Sequence, residues 1–209
     1  MRRRNLRWSA VCAAAGAVMA ASGCAETTSL RLVSSEHGAV LEPLWRSGVY
    51  RVRDSNTVDL YLSDLPVETL AARLAQASEG EAGGPGAPGA PGAPGAPGTI
   101  LAINMFLAPE AGRTPIDATA SNASITAVVL TGESFGVFGG GGFLQPSTDA
   151  GGRTFRAVMR GASLRLIRSG PGFDDRLGVT EMSGSLSAVR DDRAAGEIAA
   201  RLMMLTAPR

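Results

Sequence analysis

Ser134 is the side chain whose neighbours look most like a nucleophile site. It lies in Gly132-Glu133-Ser134-Phe135-Gly136, directly after the apolar run Ala127-Val128-Val129-Leu130. A strand followed by G-x-S-x-G, when a helix comes next, lifts a serine hydroxyl above a sheet toward an acid and a histidine placed later in the chain. Here Val137-Phe138 and then Gly139-Gly140-Gly141-Gly142 follow, too glycine-rich for a helix, and no histidine lies downstream. His37 is the only histidine and sits far upstream, so a triad would need a different order, although triads are judged by geometry. The expectation is a glycine-bearing β-turn, with a serine hydrolase using Ser134 as the alternative. The four glycines could turn backbone N–H groups toward an anion. No lysine or hydroxyl residue follows them, however, and Phe143-Leu144 returns to a core, which points to a flexible hairpin or bulge.

Other side chains fall short of a site in similar ways. Asp174 and Asp175 follow Gly170-Pro171-Gly172-Phe173 in a loop and are weak Ca²⁺ candidates. Calcium wants six to eight oxygens, and the spaced D-x-D-x-D-G pattern is missing, so solvation or pairing with Arg176 is expected. His37 and Glu36 are adjacent, and on an extended strand adjacent residues face opposite sides, which predicts an exposed histidine. Asp191-Asp192 reads as a helix cap. Trp45, Tyr50 and Tyr61 could line a glycan surface, but in a chain with 5% aromatic residues they are expected in the core.

The thiols point to a different chemistry. Cys24 closes a stretch that opens with Arg2, Arg3, Arg4 and Arg7, passes through an apolar segment from about Trp8 to Ala20, and ends in Ala21-Ser22-Gly23-Cys24. The order of basic, apolar and small residues is that of a secretory signal. The four closing residues resemble the lipobox of bacterial lipoproteins, with Ala21 where leucine is usual. That resemblance covers residues 1–24 only and implies cleavage before Cys24, with acyl chains on its sulfur. The apolar segment is about thirteen residues long, whereas a bilayer-spanning helix needs roughly 20. Cleavage after Ala25, or retention as an anchor, are the alternatives. Arg3-Arg4-Asn5-Leu6-Arg7 partly matches a twin-arginine signal, but a plain basic leader accounts for it better. Ala25, where aspartate would signal inner-membrane retention in the enteric type, favours the outer membrane by the same resemblance. In that setting the sequon Asn122-Ala123-Ser124 carries no meaning.

Without residues 1–23 the formal charge falls from +1 to −3, because four arginines leave with the leader and no carboxylate does. No basic excess remains to attract nucleic acid. The chain has no lysine, which removes Schiff-base, Walker A and Ser-x-x-Lys chemistry. Cys12 lies in the leader and Cys24 would carry lipid, so the domain has no disulfide and must be held by its core. With one histidine and no free thiol, a structural zinc site lacks ligands, and neither a cofactor nor a metal is expected.

The remaining chain is long enough for one domain. Setting aside the leader and the low-complexity insert leaves about 165 residues, which can bury around 70% of their unfolded surface. The Gly-Ala-Pro triplets that run to Gly98 have glycine every third residue, as collagen does, but about five triplets are too few for a triple helix. They read as a solvated polyproline-type loop. Only about 58 residues lie between Cys24 and the repeat, too few for a disulfide-free domain of their own, so the loop interrupts one domain. The expected organisation is a signal peptide at 1–23, a lipid-anchored tether at 24–36, and a single β-rich domain at 37–209 with its loop at 79–99.

Periodicity places the elements. Ser47 to Arg53 and Thr57 to Ser63 flank Asp54-Ser55-Asn56, and Val58, Leu60 and Leu62 alternate with Thr57, Asp59 and Tyr61, which predicts a β-hairpin. Thr99 to Leu107 and Ser124 to Thr131 are apolar enough for central strands. Arg153 to Arg160 and Ala162 to Arg168 alternate around Gly161, which suits a turn or bulge. Gly178 to Arg190 adds another strand. Helices are expected over Leu65 to Ala77 and Asp191 to Leu205, the second with Ile198, Leu202 and Leu205 on one face; a strand over Arg201 to Thr206 is the alternative. The fold class is mainly β: an antiparallel β-sandwich or barrel-like domain with one or two short helices. The function expected is a non-catalytic structural or binding module at the cell envelope. Its partners would be the membrane, through the anchor, and other envelope proteins or glycans.

Overall fold

A computed structural model describes residues 28–66, 69–70, 73–74, 97–108, 120–132 and 134–206. Cys24, the leader and nearly all of the Gly-Ala-Pro loop lie outside these residues. Nine strands form one mixed sheet: β1 (Arg31–Ser34), β2 (Val40–Leu41), β3 (Ser47–Val52), β4 (Val58–Ser63), β5 (Gly98–Met105), β6 (Ala123–Thr131), β7 (Ser134–Pro146), β8 (Thr154–Ser169) and β9 (Thr180–Arg190). A helix, α1 (Asp192–Thr206), follows. The domain is mainly β, as its alternating runs require.

Strands β3 to β9 are joined in antiparallel steps up to β8, and β8 then pairs with β9 along its length. The far edge of β9 pairs with β1 at Thr180 to Ser183, and with β3 at Val49↔Val189 and Tyr50↔Arg190. The sheet therefore returns on itself in the order β9-β3-β4-β5-β6-β7-β8-β9. Among the described residues, the β3–β9 contact is the one parallel pairing in an otherwise antiparallel sheet. It leaves a seam on the edge of β9, where β1 gives way to β3.

Closure sorts the side chains. Leu60, Leu62, Leu101, Ile103, Phe138, Phe155, Met159, Leu164 and Leu186 belong to one core cluster, the filled interior of the ring. A second cluster lies on the outer face. There Tyr61, Ile100, Val128, Leu130 and Val137 pack under Ala195, Ile198, Leu202 and Leu205 of α1, and under Leu70 and Leu74. Each such buried aliphatic side chain contributes roughly 2 kcal/mol relative to exposure. Both faces of β4 are consequently buried. The helix begins where expected: Asp191 accepts from the Ala194 N–H at 2.9 Å, an N-cap, and α1 continues through the stretch for which a strand was the alternative. Residues 69–70 and 73–74 are helical, within the expected 65–77 segment.

Three expectations need correction. The tether expected at 24–36 ends early, because Ser29 N–H donates to Ser185 O at 2.8 Å and Arg31–Ser34 is already β1. The loop expected to 99 gives way to β5 at Gly98. Most informative is the tetraglycine, expected as a hairpin or bulge, which is the middle of the 13-residue β7, with register irregularities against β8 on either side of it. A Cβ at Gly140 would overlap the Ser163 carbonyl oxygen, and one at Gly142 would overlap that of Gly161. The backbones of β7 and β8 approach where the sheet bends to close, and only glycine leaves room. The two expected runs around Gly161 are one strand, β8, with an irregularity between Met159 and Ala162 against β9, so Gly161 takes the bulge alternative.

Candidate functional site

Turns and loops place the residues singled out above. Asp54 Oδ1 accepts from the Asn56 and Thr57 N–H groups at 2.8 and 2.9 Å, and these bonds hold its carboxyl below the usual range while closing the β3–β4 hairpin. Ser34 Oγ, at the end of β1, accepts from the N–H groups of Glu36 and His37 and curls the chain into a turn. That turn overrides the strand geometry expected for Glu36 and His37. Their side chains approach to 3.8 Å, with both about half exposed.

The β8–β9 loop packs beside this turn. Asp175 Oδ1 accepts from Leu177 and Gly178 N–H, both at 3.0 Å, and Asp174 pairs with Arg176 at 2.8 Å on the surface. Gly178 has φ +55°, and a Cβ there would overlap the Glu36 carboxylate, so this glycine lets the two loops meet. Between them His37, Ala39, Asp175 and Arg176 line an open depression of about 320 Å³. It offers an imidazole, a carboxylate and a guanidinium to a polar ligand, and among the described residues neither a hydroxyl nor a thiol lines it. Among the described residues no group of three His, Cys, Asp or Glu side chains is placed to hold a metal ion.

Ser134 lies elsewhere, at the first position of β7. The β6–β7 connection is a tight hairpin with Thr131 opposite Ser134, so the serine follows a strand and a turn but precedes another strand. The hydroxyl is therefore not lifted over a helix N-terminus. Its Oγ is buried without a hydrogen-bond partner, close to Gly170, whereas His37 lies against Gly178. The structure does not bring Ser134 and His37 into one cluster.

The most constrained polar group is one that the sequence reading did not single out as a site. Asp59, on the outer face of β4, is 2% exposed. Its Oδ2 accepts from Arg51 Nε at 2.8 Å and Arg53 Nε at 2.7 Å, and its Oδ1 accepts from Asn104 Nδ2. Burial raises the carboxyl, but hydrogen bonds from Arg51, Asn104 and Arg53 outweigh it and hold the group below its ordinary value. The same bond to Asp59 pushes Arg51 up, and burial followed by the Asp59 charge raises the neighbouring Tyr61 phenol. Arg51 reaches under α1, where Gly196 leaves room beside its Nη1. Two of the partners sit across the β3–β4 hairpin and one on β5, so the cluster ties three strands beneath the edge of the helix. An acceptor fully engaged by three donors is built for holding rather than for proton transfer.

The aromatic residues weighed as a glycan surface are in the body of the protein. Tyr50 is fully buried against Phe155, its ring centroid 5.5 Å away, and its hydroxyl donates to Gly152 O. Tyr61 is under α1, and the Trp45 indole N–H donates to Leu30 O at 3.0 Å. No protein-family model, curated protein or solved structure matches the chain.

Proposed function

We propose that this chain is an exported protein held at the bacterial cell envelope by lipid on Cys24, its barrel serving as a non-catalytic structural or binding module. The observation that carries the reading is the run of Arg2, Arg3, Arg4 and Arg7, the short apolar segment, and Ala21-Ser22-Gly23-Cys24. Two or three acyl chains on one sulfur hold a protein at a bilayer far more firmly than one chain does. Ala25 favours the outer membrane by the lipoprotein resemblance. The partners are the membrane and, through the exposed loops, other envelope proteins or glycans. The engaged state of Asp59 and the separation of Ser134 from His37 support a module without catalysis.

Intact-mass analysis and vesicle flotation of the native product test the anchor. The expected product begins at Cys24 with the mass of its acyl groups, and Cys24→Ala abolishes flotation. A free thiol at Cys24, or an intact leader, overturns the reading. A fluorophosphonate probe tests the remaining part, and covalent labelling of Ser134 would restore the hydrolase.

A further inference from the structure

We infer that the barrel lies on the lipid surface through the seam of its sheet, with Leu44 and Val189 turned into the interface on either side of it. This rests on the lipid-anchor reading. The chain is fastened to the sheet almost as soon as it leaves Cys24. Thr28 Oγ1 donates to Ser187 O at 3.3 Å and accepts from Ser187 N–H at 3.1 Å, and Ser29 N–H donates to Ser185 O at 2.8 Å. Four residue steps separate Cys24 from Thr28, which span at most about 14 Å fully extended. An acylated Cys24 therefore keeps the edge of β9 near Ser187 within about 20 Å of the acyl boundary, which holds that side of the body beside the bilayer.

The surface around this point is suited to such contact. β3 begins where the chain through Thr28 leaves the edge of β9, since a Cβ on Gly48 would lie 2.6 Å from Ser187 O. Trp45, bonded to Leu30 O, fills the junction. Leu44 directly precedes it and is 77% exposed, and Val189, two residues past Ser187, is 49% exposed. Interfacial apolar side chains sink about 5–10 Å into the boundary between headgroups and acyl chains. Two other exposed apolar sites lie farther along the fold. Phe106 and Leu107 follow β5, across the ring from β9, and Met203 lies about 17 Å along α1 from its start, at 1.5 Å per residue.

The test uses acylated protein in vesicles of phosphatidylethanolamine and phosphatidylglycerol. Cys12 leaves with the leader and the Cys24 sulfur is blocked, so an introduced cysteine is the one free thiol for an environment-sensitive fluorophore. Leu44→Cys and Val189→Cys are compared with Leu107→Cys and Met203→Cys, all at exposed positions. Labels at 44 and 189 are expected to shift to the blue and escape iodide quenching on vesicles, while those at 107 and 203 stay aqueous. If the acylated protein floats with vesicles yet 44 and 189 remain as quenched as 107, or all four sites are shielded alike, the inference fails while the anchor stands. Protein that carries no acyl mass and does not float removes the anchor, and the inference with it.

Discussion

Asp59 shows how a residue's role can be invisible to its own period. Alternation along 57–63 puts it on the face opposite Val58, Leu60 and Leu62, and nothing in that period says that a carboxylate there is buried; the packing of that face under α1 makes it a core carboxylate. Asp59→Ala leaves Arg51 and Asn104 without their acceptor beneath the helix, and should cost about 2–3 kcal/mol in urea denaturation. The pH dependence has a fixed sign. A carboxyl held below its unfolded value of about 3.9 stabilises the fold above that pH, and this contribution is lost as pH falls through the folded value. Wild type should therefore lose stability below about pH 4, with a shallower slope in Asp59→Asn. Ser134 is the opposite case, legible as a motif yet placed as a buried hydroxyl with no partner. Ser134→Ala removes that uncompensated group and should leave stability unchanged or raise it by about 1 kcal/mol in thermal melts. A loss of more than that would show that the hydroxyl has a partner in solution.

The elements that announced themselves in the sequence are those whose neighbours in space are neighbours in the chain. The 47–63 hairpin has its turn residues, its alternation and its partner within one stretch, and β3 and β4 lie within a residue of the expected runs. The strand β7 was hidden because its glycines carry no hydrophobic pattern and read locally as a turn; their reason lies in β8, some twenty residues on. Space decides which glycines are replaceable. Gly140→Ala puts a methyl into the Ser163 carbonyl and should cost at least about 3 kcal/mol, whereas Gly161→Ala, at the bulge with nothing near its Cβ, should stay within about 0.5 kcal/mol of wild type. Gly196 stands inside α1, where glycine weakens a helix. A Cβ there would meet Arg51 Nη1 at 3.7 Å, an ordinary contact, so Gly196→Ala should stabilise by about 0.5–1 kcal/mol. Urea denaturation of the three variants measures all of these differences.

At the scale of the whole molecule, the choice between sandwich and barrel was not legible, because it depends on β9 meeting β3 across nearly the full length of the domain. The sequence leads to the expectation that the Gly-Ala-Pro insert interrupts a single domain. In the sheet, β4 and β5 are adjacent, antiparallel and in register from Val58↔Met105 to Ser63↔Ile100 on either side of the insert. Those six pairs, with Thr99 N–H donating to Asp64 Oδ1 at 2.7 Å, fix the two ends of the connection. The cost of closing a flexible connection grows only with the logarithm of its length, so removing three triplets, residues 86–94, should change stability by about 0.5 kcal/mol. Equal melting curves for the shortened and full chains are the expected result. A large loss would mean that the triplets make contacts of their own, with the barrel or with a second copy, and comparing the oligomeric state of the two proteins would tell which.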